Sequence, residues 1–343
     1  MAIGFLATGS YVPDRVVTNE EICALVPDAT PDWILRRTGI VTRRYAAADQ
    51  ATSDLAAPAA ERALAAAGLA AGDVDYVIVS TSTGDSPQPP TACLVQDLIG
   101  ARNAACLDVN VVCSGFVYGL ELARGLLTVN PGTRALVIGA DVYSRCLDYR
   151  DRRTSVLLGD GAGAVLVGPV PAPYGLGEIH LSSYGEARSL IGVAAGGSRL
   201  PASLSTVAAG QHFFTMQGRG VRDFVLDNIP PLVDKLLSRA GLGAADVGCF
   251  VPHQANGRLI GELAARCGLG DVPLARVVER YGNLGSASVP VALDDAVRAG
   301  VIGAGDVVLL AGFGGGMAAG VGLVRWSSVS SVASVASTSG RLS

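Results

Sequence analysis

Of the seven cysteines in the sequence, Cys113 stands in the setting best suited to nucleophilic chemistry. It lies in Val111-Val112-Cys113-Ser114-Gly115-Phe116, where an apolar strand passes through small residues into an apolar helix. A thiol at such a junction meets free N–H groups and the positive end of the helix, which lower its pKa and hold an oxyanion. The alternative is a buried structural thiol. His253 follows another apolar run, in Phe250-Val251-Pro252-His253-Gln254-Ala255-Asn256, and is one of three histidines. Beside Pro, Gln and Asn at a strand end it is a candidate functional residue; the alternative is a histidine satisfied at a helix cap. His180 and His212 lie in less patterned sequence and carry little weight. Asn283, in a glycine-bounded loop, offers a carboxamide donor or is an ordinary turn residue. The run Gly312-Phe313-Gly314-Gly315-Gly316 lets backbone N–H groups approach a substrate carbonyl.

These groups need elements to hold them. Residues 53–67 read as a helix with Ser53 as N-cap. Residues 75–80 read as a strand, 91–98 as a helix, 106–112 as a strand and 115–127 as a helix. Two more strands are expected at 135–139 and 164–168. Continuous apolar strands between helices predict an α/β fold. The run Val307 to Val324 has no charge over 18 residues, yet six are glycine, so it predicts two buried strands joined by a turn, not a membrane span. Because a strand follows Gly312–Gly316, that run is not a dinucleotide fingerprint. Gly159-Asp160-Gly161-Ala162-Gly163-Ala164 likewise reads as a turn leading into a strand.

An internal repeat organises the chain. Ala67-Gly68-Leu69-Ala70-Ala71-Gly72-Asp73-Val74 recurs as Ala240-Gly241-Leu242-Gly243-Ala244-Ala245-Asp246-Val247, an offset of 173 residues. Ala135-Leu136-Val137-Ile138-Gly139 recurs as Val308-Leu309-Leu310-Ala311-Gly312 at the same offset. Two separated matches at one offset imply two copies of one α/β unit, packed as a pseudo-twofold pair. The offset carries Cys113 to Ser286 and Ser80 to His253. Both helix starts are then expected near the axis, with a pocket between the halves at the strand ends. The expected division is 1–170, 171–326, and a Ser/Val/Ala-rich low-complexity tail at 327–343 that reads as frayed.

Composition excludes several classes. The 343 residues are 50% hydrophobic and 16% charged, which suits a large buried core and excludes disorder of the body. A net charge of −4 argues against a nucleic-acid partner. The odd number of cysteines, without C-x-x-C spacing, argues against a zinc or disulfide framework and for free thiols in a reducing cytosol.

Taken in order, these pieces resemble the thiolase-superfamily condensing enzymes, in particular the beta-ketoacyl-ACP synthase III family. The resemblance runs from about Ile3 to Trp326. It is carried by Gly9-Ser10-Tyr11-Val12-Pro13, Trp33-Ile34 with Arg37-Thr38-Gly39-Ile40, and Cys113-Ser114-Gly115-Phe116. The Gly159–Ala164 run, Val251–Asn256, Gly282-Asn283 with Ala287-Ser288-Val289-Pro290, and Gly312–Gly316 complete it. The resemblance implies a duplicated thiolase-like α/β unit with five αβαβα layers. It implies a Cys113 nucleophile, a triad with His253 and Asn283, and an oxyanion hole from the N–H groups of Cys113 and Gly314. Cys113 would take an acyl group from acyl-CoA, and a malonyl thioester would then lose carbon dioxide and condense with it. No cofactor or metal is implied; a homodimer and an acyl carrier protein partner are.

The resemblance also implies that Trp33, Arg37 and Arg152 contact CoA, with Asn256 and Gly218 along the pantetheine channel. Arg258 and Arg266 would remain of a basic carrier-docking patch. Two departures stand out. Pro89 occupies a position where many members carry a pocket-closing Phe, which favours a longer or branched acyl group. Ala265, Asp223 and Arg222 alter the docking patch and tunnel mouth, which favours a pathway-specific role in secondary metabolism over fatty acid initiation. Acyl transfer to an alcohol, amine or thiol is the alternative reaction. A degradative thiolase is disfavoured because Gly312–Gly316 lacks a second cysteine.

Overall fold

Alternate residues of the central strands pack against two different helical layers, which is why these strands are apolar along both faces. The structure is a computed structural model that describes residues 1–327. The expected tail lies, beyond Ser327, outside the described residues. Strands β1 (Ala2–Tyr11), β2 (Tyr76–Ser80), β3 (Ala105–Val109), β4 (Ala135–Val142) and β5 (Asp160–Val170) form one sheet in the order β1-β5-β4-β2-β3. Strands β6 (Gly175–Ser183), β7 (Val247–Pro252), β8 (Val307–Gly314) and β9 (Ala318–Arg325) form another, ordered β7-β8-β9-β6. In each sheet a parallel pair, β2 with β4 or β7 with β8, continues into an antiparallel pair.

The helices that frame the site are α1 (Pro31–Thr38), α2 (Thr52–Ala67), α3 (Thr91–Ile99), α4 (Gly115–Val129), α5 (Gly218–Arg239), α6 (Gly257–Arg266) and α7 (Ser288–Arg298). Val137 of β4 and Leu310 of β8 face a central core shared with α4 and α7. Their neighbours Leu136 and Ile138 face α2 and α3. Leu309 and Ala311 face α5 and α6. The result is the expected five-layered αβαβα arrangement. The helical run Val112–Val129 is long and apolar enough to cross a membrane, but here it is packed between the two sheets.

The 173-residue offset reappears in three dimensions. It relates the starts of β1 and β6, of α4 and α7, and of the two short 3-10 turns Val112–Ser114 and Gly285–Ala287 that precede those helices. Only the edge strand β3 lacks an equal partner; in the second sheet a single bridge, Phe250 to Leu274, stands in its place.

Three local expectations are corrected. Ser53 is not an N-cap: Ala51 caps α2, and its N–H donates to the Asp54 carboxylate at 2.7 Å. Ser53 instead donates through its N–H and hydroxyl to Asp85, at 2.9 and 2.7 Å, because that loop carboxylate lies within reach. The strand expected at 106–112 stops at Val109, since the chain must turn to present Cys113. The Gly159–Ala164 run is not a turn; β5 begins at Asp160. Its glycines serve packing, for a Cβ at Gly163 would lie 2.7 Å from the Val291 nitrogen of α7.

Candidate active site

Cys113 lies in the middle of the turn Val112–Ser114, directly before α4. Val112 is held at a φ of 47°, a region costly for a β-branched residue and typical of functional turns. Ser114 pins the turn by donating its hydroxyl to Ala318 O at 3.1 Å. The end of β8 closes on the other side. A Cβ at Gly314 would lie 2.8 Å from Cys113 Cβ and 2.9 Å from Cys113 N, so only glycine lets these two backbone segments meet.

His253 leaves β7 with its N–H donated to Ala311 O of β8 at 2.7 Å. Its ring packs edge-on against Phe313, centroids 5.2 Å apart. Gln254 locks this segment. Its Nε2 donates to Pro252 O and Ala275 O at 2.8 and 3.1 Å, and its Oε1 accepts from Val277 and Val278 N–H at 3.0 and 3.3 Å. The side chain is fully buried, so Gln254→Leu strands two N–H and two C=O groups. Urea unfolding is expected to show a loss of about 2–5 kcal/mol. A loss under about 0.5 kcal/mol would reject that accounting.

Asn283 is held at both backbone ends. Its N–H donates to Leu157 O at 2.8 Å, and its carbonyl accepts from Gly159 N–H at 2.9 Å. Its Oδ1 accepts from Gly285 N–H at 2.9 Å, which leaves the NH2 as the free donor end. The turn Gly285–Ala287 packs on the Val112–Ser114 turn, which in turn packs on β8. The segments bearing Cys113, Gly314, His253 and Asn283 therefore meet where α4 and α7 begin.

Electrostatics overturn the expected lowering of the Cys113 pKa. Burial pushes the thiol well above its ordinary range, and the Asp141 carboxylate pushes it further. The helix terminus cannot outweigh the loss of water around the thiolate. Burial also pushes His253 down to about 3, so the imidazole is neutral at physiological pH. At neutral pH both groups are therefore uncharged, a thiol and a neutral imidazole.

Asp141, at the end of β4, was not singled out by its sequence, although it is the one acid in an otherwise apolar strand. It is fully buried. Its Oδ1 accepts from Thr83 Oγ1, Ser82 N–H and Thr81 Oγ1 at 2.8, 3.0 and 3.1 Å. Its Oδ2 accepts from Ser286 N–H and Oγ, both at 2.8 Å. Beside the turns lies a cavity of about 500 Å³, lined by Ser82, Val112, Tyr143, Phe214, Gly316 and Met317 among others.

The outlying expected residues fall in two groups. Around α1, the Arg152 guanidinium lies 5.0 Å over the Trp33 ring, and its Nη1 donates to Asp28 O at 2.6 Å. Arg37 is exposed on the same helix. Asn256 caps α6 by accepting from Arg258 N–H at 2.8 Å, and its NH2 donates to Arg37 O at 3.2 Å, so its carboxamide is already engaged. Gly218 is exposed at the start of α5. On the α6 surface Arg258 and Arg266 are exposed, with Arg258 Nε donating to Arg36 O at 3.1 Å. Pro89 is exposed on the loop before α3 and does not line the cavity of its own chain.

A duplicated five-layered α/β fold with a cysteine before one of two paired helix starts, an asparagine before the other and a histidine at the end of the adjacent strand β7 defines a condensing enzyme of the thiolase fold. Comparison with known proteins is more specific. The family descriptions 3-oxoacyl-(acyl-carrier-protein) synthase III and its C-terminal region match residues 107–185 and 237–326. Acetoacetyl CoA synthase NphT7 of Streptomyces sp. (strain CL190) is 49% identical over 323 residues, 94% of this chain and 98% of that protein. Beta-ketoacyl-(acyl-carrier-protein) synthase III of Desulfitobacterium hafniense is 42% identical over 95% of this chain and 98% of its own. The solved Thermus thermophilus synthase III superposes with a TM-score of 0.87 at 40% identity, covering 94% of this chain and 99% of that one. A priming beta-ketosynthase of a polyketide biosynthetic pathway matches at 0.87 and 33%, covering 94% and 96%. The chain belongs to the beta-ketoacyl-ACP synthase III family.

Proposed function

We propose that this chain is an acyl-CoA-primed 3-oxoacyl synthase in which Cys113 carries the acyl group and the malonyl unit arrives on coenzyme A. The observation that carries the reading is the packing of the Cys113 and Asn283 turns on each other and of the Cys113 turn on the end of β8, where Gly314 meets Cys113 and His253 lies beside Phe313. Cys113 Sγ attacks the acyl thioester; the new S–C bond forms, the bond to CoA breaks, and the thiol proton passes through neutral His253 to the departing thiolate. The N–H groups of Cys113 and Gly314 hold the carbonyl oxygen. The malonyl thioester then loses carbon dioxide, and its enolate oxygen takes hydrogen bonds from His253 and the Asn283 NH2. The enolate carbon attacks the acyl carbon, the acyl–S bond breaks, and Cys113 leaves as thiolate, which takes a proton from solvent water to restore the resting thiol. The chemistry needs no cofactor, since neutral donors and the substrates supply every group. Trp33, Arg37 and Arg152 are assigned to CoA, and Gly218 and Asn256 to the channel wall.

Coenzyme A as the malonyl carrier is supported by the charge around α6. Arg222 is ion-paired with Glu262 at 2.6 Å and with Asp223 at 3.3 Å, which weakens the field that would attract an acidic carrier protein. The second reading, malonyl on acyl carrier protein, is favoured by the exposed Arg258 and Arg266. Assays with acetyl-CoA and either malonyl-CoA or malonyl carrier protein separate the two. A kcat/KM at least about 10-fold higher for malonyl-CoA is expected, a difference of about 1.4 kcal/mol; the reverse order overturns the choice. Acyl transfer without carbon dioxide release would promote the alternative reaction. Lengthening the donor in the same assay tests Pro89: loading beyond acetyl supports the wider pocket, and strict acetyl preference counts against it.

The assembly is a homodimer in this reading. The support is β3, a half-exposed edge strand paired on one side only, which invites a second copy. Light scattering that finds a monomer at micromolar concentration would reject it. Seven free thiols support residence in a reducing cytosol.

A further inference from the structure

We infer that Asp141 is a positioning residue for the condensation step, holding Asn283 in place by occupying the anion site of the second helix start; this rests on the condensing reading above. The internal repeat makes the case. The offset that relates Cys113 to Ser286 also relates Asp141 to Gly314. In one half the end of β8, at Gly314, meets the Cys113 turn. In the other the end of β4, at Asp141, meets the Ser286 turn. Ser286 N–H is thus the counterpart of the Cys113 N–H assigned to the oxyanion hole. That donor is already taken, because Asp141 Oδ2 accepts from it at 2.8 Å. The helix start that would otherwise seek an oxyanion is filled from within the chain.

The consequence reaches Asn283 through two residues. Oδ2 also accepts from Ser286 Oγ at 2.8 Å, which fixes the turn from two directions. Gly285 lies directly against the carboxylate; its φ is 58°, and a Cβ there would collide with Oδ2 and the Tyr143 ring. The same Gly285 donates its N–H to Asn283 Oδ1 at 2.9 Å and so sets which end of the carboxamide is free. Meanwhile Oδ1 of Asp141 gathers Thr81, Ser82 and Thr83 at the strand ends of the first half. Burial pushes the Asp141 carboxyl above its ordinary range, and the N–H and hydroxyl donors on both oxygens pull it back toward the ionised form. Asp141 thereby ties the loop before α3 to the turn before α7 and aligns the Asn283 donor with the enolate.

The test is Asp141→Asn, which keeps the shape but turns one acceptor oxygen into an NH2 facing an N–H donor. Acylation of Cys113 by acyl-CoA, followed by intact-protein mass, is expected to fall by no more than about threefold, since Gly314 and the Cys113 turn are untouched and removing the Asp141 charge eases loss of the thiol proton. The kcat for condensation is expected to fall about 10²-fold with little change in KM for the malonyl thioester, because a shifted donor is lost in the transition state more than in binding. Should the variant fail to fold, Ser286→Ala removes only the hydroxyl donor and is expected to show the same split at a few-fold. Equal loss of both steps, or no loss in either, would overturn the role. Absence of carbon dioxide release by the unaltered protein is a different result; it sinks the condensing reading itself, and this role with it.

Discussion

Cys113→Ala is expected to abolish covalent loading and to give the largest single loss in this protein. Incubation with acyl-CoA should add the acyl mass to the unaltered chain and nothing to the variant. Condensation should fall by at least about 10⁴-fold, the scale seen when an activated nucleophile is removed. Six other cysteines are present, and Cys146 among them lines the cavity, so loss of loading on this one substitution singles out Cys113. Of these, Cys249 is buried, and burial pushes its thiol up to about 11. Cys267 is pushed up to about 12 and Cys106 to about 11, each chiefly by burial. None of these sits at a helix start beside a glycine-bared backbone, as Cys113 does. In the proposed mechanism the reactivity of Cys113 comes from a base taking the proton during attack, because burial leaves no standing thiolate. Persistent labelling of Cys113→Ala would transfer the nucleophile to another residue and end the assignment.

Asn283→Asp should separate the two half-reactions. The variant keeps the oxygen that accepts from Gly285 N–H and replaces the free NH2 with an oxygen. An enolate that took a hydrogen bond would meet a lone pair or a negative charge instead. Loss of one such donor costs about 10²–10³-fold, so condensation is expected to fall by that amount. Acyl-Cys formation should persist, since it does not use the carboxamide. The neutral state of His253 strengthens the effect: with its pKa near 3 the imidazole brings no positive charge at neutral pH to compensate for the lost donor. Carbon dioxide release from labelled malonyl thioester reads the second step, and intact mass reads the first. Condensation within about threefold of the unaltered protein would remove Asn283 from the enolate site.

Much of this architecture is legible in the chain itself. Largely apolar strands, the glycine-broken apolar run at 307–324 and the two repeats at one offset already specify two α/β units with strands covered on both faces. The residue types at Cys113, His253 and Asn283, and the small residues beside them, are local patterns, so they survive in one dimension. The sign of the Cys113 shift does not, because it is set by water excluded by segments 200 residues away, such as the Ala318 carbonyl that pins Ser114, and by the Asp141 charge. Ser53 misleads for the same reason: its better partner, Asp85, comes from a distant loop. Asp141 reads in sequence as a lone acid at a strand end; only folding brings it to Ser286, 145 residues on, and makes it the acceptor at the second helix start. Local pattern sets which element forms and which groups are reactive by type. Burial and long-range hydrogen bonds set their charge and aim, because both depend on which segments exclude water together.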